Sequence, residues 1–214
     1  MLRYVVNMGR HRIHDDATAE ALLDAAEVVL DAEGVVGLTV RRVADRVGVS
    51  TRAVYSTLGS KEGLLQELGV RAYDTLGSMV DALPRTNDPA KDLVSAGVDG
   101  FRAFALAHPG LFRIGIQLTD APPAARPHIR VAANHALGAL LERLERLQAA
   151  GSLDGRTLLV AATQFHAICE GLAALELRGA LAHTTDPAEI WVSALAALAK
   201  GWHPASSPQP PTKS

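Results

Sequence analysis

The sequence predicts an all-α protein: a three-helix N-terminal head followed by a larger helical-bundle body, about nine helices in total. Apolar residues make up 48% of the chain, and Ala and Leu, both strong helix formers, dominate that set. Aromatic residues make up only 4%, and no stretch shows the sustained β-branched alternation of a half-buried strand. Apolar positions recur instead at three- and four-residue intervals, the period of amphipathic helices.

Residues 1 to about 14 read as an irregular, partly basic arm carrying Arg3, Arg10 and Arg12. A first helix is expected over 16–33, with Leu22, Ala25, Ala26, Val29 and Leu30 on its apolar face and Gly34 as its stop. Thr39 is a good N-cap for a short second helix whose apolar residues Val40, Val43, Ala44 and Val47 are spaced i, i+3, i+4, i+7. Gly48 breaks it, Ser50 caps a third helix over 51–58, Gly59 ends that one, and Ser60 caps a fourth running to about Leu83. Residues 84–89 form a linker.

Beyond it a helix is expected over 89–107, stopped by His108-Pro109-Gly110, then a short helix to about Leu118 and a loop at Ala121-Pro122-Pro123. A long helix over about 125–149 carries Ala133, Leu137, Leu140, Leu144 and Leu147 on one stripe. A turn at 151–155 leads to helices over 156–181 and 187–202, with Pro187 near the first turn of the last. The tail, rich in Pro and Ser, is expected to be disordered. The expected domains are 1–60, 61–202 and the tail 203–214.

The formal net charge is −2, so the whole-chain balance gives no support to a nucleic-acid partner. The distribution does. Residues 15–33 carry only acids (Asp15, Asp16, Glu20, Asp24, Glu27, Asp31, Glu33), whereas Arg41, Arg42, Arg46, Arg52 and Lys61 are opposed only by Asp45. A near-neutral total thus hides a basic face backed by an acidic one. The single cysteine, Cys169, excludes an intrachain disulfide and fits a reducing compartment. Residues 1–12 lack the apolar core of a signal peptide, and no run of about 18 apolar residues marks a membrane span. A cytoplasmic protein without a membrane partner is the expectation.

The segment 39–61 reads TVRRVADRVGVSTRAVYSTLGSK. Two short helices cross closely only where the contact side chains are small, as Ala44 is, and the turn between them needs a flexible residue, Gly48. Val43, Val47, Val49 and Val54 would pack inward, leaving Thr51, Arg52, Tyr55 and Ser56 outward, with hydrogen-bonding side chains of suitable length for base edges and phosphates. A plain helical hairpin would share the spacing.

The head resembles the TetR family of regulators. The resemblance runs through Asp31-Ala32-Glu33-Gly34, the Thr-capped helix 39–47 with its alanine, Gly48-Val49-Ser50, Tyr55, and Ser60-Lys61, and it holds from Leu22 to Leu65. It departs at Leu58, where an aromatic is usual. The resemblance implies that Thr39 caps the second helix and touches a phosphate, with Arg41 and Arg42 beside the DNA backbone. It implies that Ser50 opens the third helix, that Thr51, Arg52, Ala53 and Ser56 face bases in the major groove, and that Tyr55 and Lys61 reach phosphates. Arg10 and Arg12 would either reach the DNA or stay solvated. The implied partners are double-stranded DNA with a palindromic operator, a second copy of the chain, and an unknown small-molecule effector.

In the body, the helices over 156–181 and 187–202 are the candidate dimer seam, through Leu172, Leu175, Trp191, Leu195 and Leu198; burial inside one protomer would explain the same pattern. All four phenylalanines, Phe101, Phe104, Phe112 and Phe165, lie in the body and read either as ordinary core or as the lining of a ligand cavity. His166, Cys169 and Glu170 share a helix face, where they would line that cavity or sit as hydrogen-bonded core. Two or three ligands without paired-cysteine spacing do not make a metal site, so neither metal nor cofactor is expected. No phosphate-binding glycine loop, HExxH or Gly-x-Ser-x-Gly is present, no carboxylate pair is placed convincingly for acid–base work, and no catalytic residue is assigned. The rival functions are a DNA binder that needs no effector and a helical enzyme using His166 and Glu170.

Overall fold

A computed structural model describes residues 5–117, 126–183 and 186–202, with backbone only for 5–16, 117 and 126. Among the described residues there are nine helical stretches and no strand. The first helix, α1, spans Val5–Gly37, but its helical dihedrals break at Gly34 (φ 67°, ψ −173°), the expected stop. Its beginning corrects the expected irregular arm. No proline interrupts 5–16, so the helical backbone continues back to Val5. The side chains of Arg10 and Arg12, the whole of Arg3, the loop at 121–123 and the tail 203–214 lie outside the described residues.

Helices α2 (Val40–Val47), α3 (Thr51–Leu58) and α4 (Lys61–Asp81) follow. Asp88 accepts from Lys91 N–H and caps α5 (Pro89–Ser95). The expected helix over 89–107 is not regular. A π-helical segment, Ala96–Arg102, joins α5 to α6 (Ala103–Ala107), and a second one, Phe112–Gln117, extends α7 (Pro109–Leu111). Such wide turns accommodate an extra residue in a helix. At Gly97 the backbone approaches its neighbours so closely that a Cβ would lie 2.2 Å from Leu195 Cδ1. Helices α8 (Arg126–Ala149), α9 (Leu158–Leu177, capped by Thr157) and α10 (Pro187–Gly201, capped by Asp186) complete the chain.

The residues group into two compact units, Met1–Leu76 with Phe104–Ala136, and Gly77–Ala103 with Leu137–Ser214. In the first, α1 packs on α2, α3 and α7, burying Leu22, Leu30, Val43 and Val54. Arg71 on α4 gathers three carboxylates of α1: Glu20 at 2.6 Å, Asp24 at 2.7 Å and Glu27 at 3.4 Å. These stand at i, i+4 and i+7, one stripe of the acidic face.

In the second unit α10 packs on α9, α5 and the first π-helical segment. Glu176 takes Arg102 through two nitrogens, at 2.7 and 2.9 Å, and accepts from the Trp191 indole at 2.8 Å. The expected stripe of α8 is displaced. Leu144 and Leu147 are buried, but Leu137 and Leu140 are only half-buried, and Arg143 is fully buried in their place. Its guanidinium donates to the carbonyls of Ala139, Val80 and Leu83. Val80 lies in the last turn of α4 and Leu83 just beyond it, at the negative pole of that helix, which offsets the cost of burying the cation.

Candidate nucleic-acid interface

The geometry of 39–61 follows from its caps. Thr39 is extended, and its hydroxyl oxygen accepts from Arg42 N–H at 3.3 Å. Gly48 then takes φ 77°, ψ 28°, the left-handed conformation that closes α2 without the penalty a side chain would carry. Ser50 repeats the Thr39 device, accepting from Ala53 N–H at 3.2 Å, and Ser60 accepts from Gly63 N–H at 3.1 Å at the start of α4. The caps at Thr39 and Ser50 each use an oxygen lone pair and leave the hydroxyl proton free to donate elsewhere, whereas the Ser60 hydroxyl also bonds the Glu62 carboxylate.

Val43, Ala44 and Val54 are buried between the helices, whereas Val47 and Val49 are half-buried. The outer side of α3 carries Thr51, Arg52, Tyr55 and Ser56, all exposed; Ala53 is half-buried at its edge. Ser56 differs from the caps: its hydroxyl donates to Ala53 O at 2.8 Å, so the oxygen is left as an acceptor. Arg41 is exposed, with Asp45 at a distant 3.9 Å. Arg42 pairs with Glu33 of α1. Both pairs are at the surface, where such contacts are weak and readily exchanged for a stronger anion. Lys61 is half-buried beside the N-terminus of α4.

The remaining singled-out residues fall into two groups. In the second unit, the Phe101 ring meets His166 edge-on at 5.6 Å, and Phe165 and Cys169 are buried within 3.3 and 3.5 Å of where a Gly97 Cβ would lie. Glu170 reaches His166 at 3.5 Å. Burial pushes the His166 imidazole below the ordinary histidine range although Glu170 pulls it upward, and burial pushes the Cys169 thiol up. Phe104 and Phe112 belong to the first unit, where both are fully buried and Phe104 lies against His108.

The five seam candidates also divide. Trp191 and Leu195 are buried inside the protomer, while Leu172, Leu175 and Leu198 are half-buried. The open faces are carried by Val192 on α10, part of the apolar pattern of that helix, and by residues the sequence did not single out: Leu159, Val160 and Ala167 on α9 and Ala196 on α10. Their signal is present in the sequence: Val160 and Ala167 stand on the side of α9 opposite Cys169, and Leu159, Val192 and Ala196 flank the buried stripes of their helices. Apolar content alone does not say which side faces a protomer's own core.

Residues 22–68 match bacterial regulatory proteins of the tetR family, and residues 94–198 match the tetracyclin repressor-like C-terminal domain. An uncharacterised HTH-type transcriptional regulator of Mycobacterium tuberculosis is 29% identical over 164 residues, 76% of this chain and 71% of its own length. A solved structure of a protein of unknown function from Rhodococcus sp. RHA1 has a TM-score of 0.75 at 22% identity, covering 87% of this chain and 95% of its own. The transcriptional regulator FadR from Bacillus subtilis, solved in complex with stearoyl-CoA, has a TM-score of 0.69 at 17% identity, covering 86% and 99%.

Proposed function

Since this chain belongs to the TetR family of DNA-binding transcription regulators, we propose that it acts as a homodimeric repressor, released from a palindromic operator when a small molecule binds its body. The exposed side of α3 carries the reading. It presents a contiguous Thr51, Arg52, Tyr55 and Ser56 on a helix fixed from behind by buried Val54. Arg52 suits the acceptor pair of a guanine, and Ser56, its proton already used, suits a base amino group. Thr51 and Ala53 sit against the same base edges. Thr39 and Ser50 donate their free hydroxyl protons to phosphates, joined by Tyr55, Lys61 and the two arginines of α2. Work on DNA in a bacterium implies a cytoplasmic location.

The seam runs along α9 and α10. An 18-residue window of α9 has a mean hydropathy of 1.5, enough by length and composition to cross a membrane, yet only 28% of it is buried within the protomer. The helix carries His166, Glu170 and Glu176, and a second copy of the same face supplies the missing cover. Val160, Ala167 and Val192 meet the partner, with Leu172, Leu175 and Leu198 at the margin; Trp191 and Leu195 support α10 from inside.

Phe101, Phe165, His166, Cys169 and Glu170 are the proposed effector wall in the second unit, with Phe104 and Phe112 as core of the first. The stearoyl-CoA held by FadR supports a body that receives small molecules without naming the one received here. Release follows from a ligand's differential affinity for two arrangements of the dimer, with α4 as the element that moves. The direction of regulation, repression, rests on the family.

Selection from random duplex DNA, followed by mass measurement of the complex, tests this. A two-fold symmetric consensus bound by two protomers is expected. An asymmetric site bound by one protomer would refute the dimer.

A further inference from the structure

The first unit contains a contact that DNA binding does not use. Glu27 and Asp31 stand one turn apart on α1, and both reach the corner His108-Pro109-Gly110 that separates α6 from α7. His108 Nδ1 lies 2.5 Å from Glu27 Oε1, and the backbone N–H of Gly110 donates to Asp31 Oδ1 at 2.7 Å. A Cβ on residue 110 would lie 2.6 Å from both Asp31 Oδ1 and Leu30 Cγ, so glycine is required for the approach. Behind the pair, Arg71 holds Glu27 from α4, and the Phe104 ring backs His108 at 5.8 Å.

Two carboxylates at helical spacing, each with a separate donor from one rigid corner, resist sliding and rotation of α1 as one contact alone would not. Partial burial raises Asp31 above the ordinary carboxylate range, and the N–H of Gly110 pulls against that shift by favouring the ionised form. α1 packs on α2 and α3, so whatever orients α1 orients α3. We propose that His108 is a positioning residue for operator recognition: with Gly110, it clasps α1 and sets the half-site spacing that the dimer accepts. This rests on the dimeric reading above. His108 touches no DNA and acts only through α1.

The test uses the full-length protein and the operator it selects from random DNA, remade with one base pair added or removed between half-sites. Wild type is expected to prefer the selected spacing. His108→Ala is expected to lose that preference by roughly tenfold, as removal of a charge-assisted hydrogen bond implies, mainly through weaker binding at the selected spacing. Binding to an isolated half-site should be unchanged. His108→Asn, whose amide donates from about the place of Nδ1, should restore the preference. If His108→Ala does not fold, Gly110→Ala applies the same test through the second contact. Unchanged spacing preference in a folded variant overturns the clasp alone. A wild type without any spacing preference overturns the dimeric reading and the clasp together.

Discussion

Arg52 differs from the two arginines that open α2 by what surrounds it. Arg41 and Arg42 each have a carboxylate in reach, whereas among the described residues Arg52 has none and stands exposed on α3. A cation that need not surrender a partner is the better base reader. Arg52→Ala should weaken binding to the selected operator by about 1–3 kcal/mol and relax sequence preference at one position of each half-site. Anisotropy titration at fixed salt checks this, and unchanged affinity and sequence preference in the variant would remove Arg52 from the interface. His166 leads to a different expectation. Its pKa is lowered in the folded state, chiefly by burial and against the pull of Glu170. The unfolded chain therefore binds the proton more readily. The stability that the neutral imidazole contributes is complete above the ordinary histidine value and is lost as the pH falls toward the lowered one. Thermal melts at pH 7 and pH 5 should show a drop that is smaller in His166→Gln; an equal drop in both would assign the acid sensitivity elsewhere.

Among the elements, α2 and α3 are legible in the sequence because everything that shapes them is local. Thr39, Gly48, Ser50 and Gly59 act within four residues of themselves, and the spacing of Val40, Val43 and Ala44 marks the buried side. Ser50→Ala should accordingly cost about 1 kcal/mol of stability in denaturant unfolding; no change would mean that the Ala53 N–H is satisfied equally well by water. The body is legible only in outline. Helix α8 buries Arg143 where the spacing predicts a leucine stripe, because the groups that satisfy the guanidinium, Val80 O and Leu83 O, come from 63 and 60 residues away. The π-helical segment over 96–102 likewise packs Gly97 against Leu195 of another helix. No local pattern announces either. The clasp of Glu27 and His108 joins residues 81 apart in sequence, each of which reads by itself as an ordinary surface side chain.

In the whole molecule, the proposed reading face on α3 depends on the proposed pairing of two copies through α9 and α10. Charge placed on the open side of α9 should separate the two. Ala167→Glu sets like charges against each other across the proposed seam and should leave a folded monomer, read by light scattering, with operator affinity reduced by at least about tenfold as the second half-site is lost. A variant that stays dimeric would move the seam off α9. Recognition of specific DNA is what the repressor reading and the clasp both depend on. Its sharpest test is anisotropy titration of the purified protein against its selected operator and a scrambled duplex, over a range of salt. Tight binding to the operator and weak binding to the scrambled duplex are expected, with affinity for both falling steeply as salt rises and the gain from counterion release shrinks. Equal, weak affinity for the two duplexes at every salt concentration would contradict sequence-specific recognition.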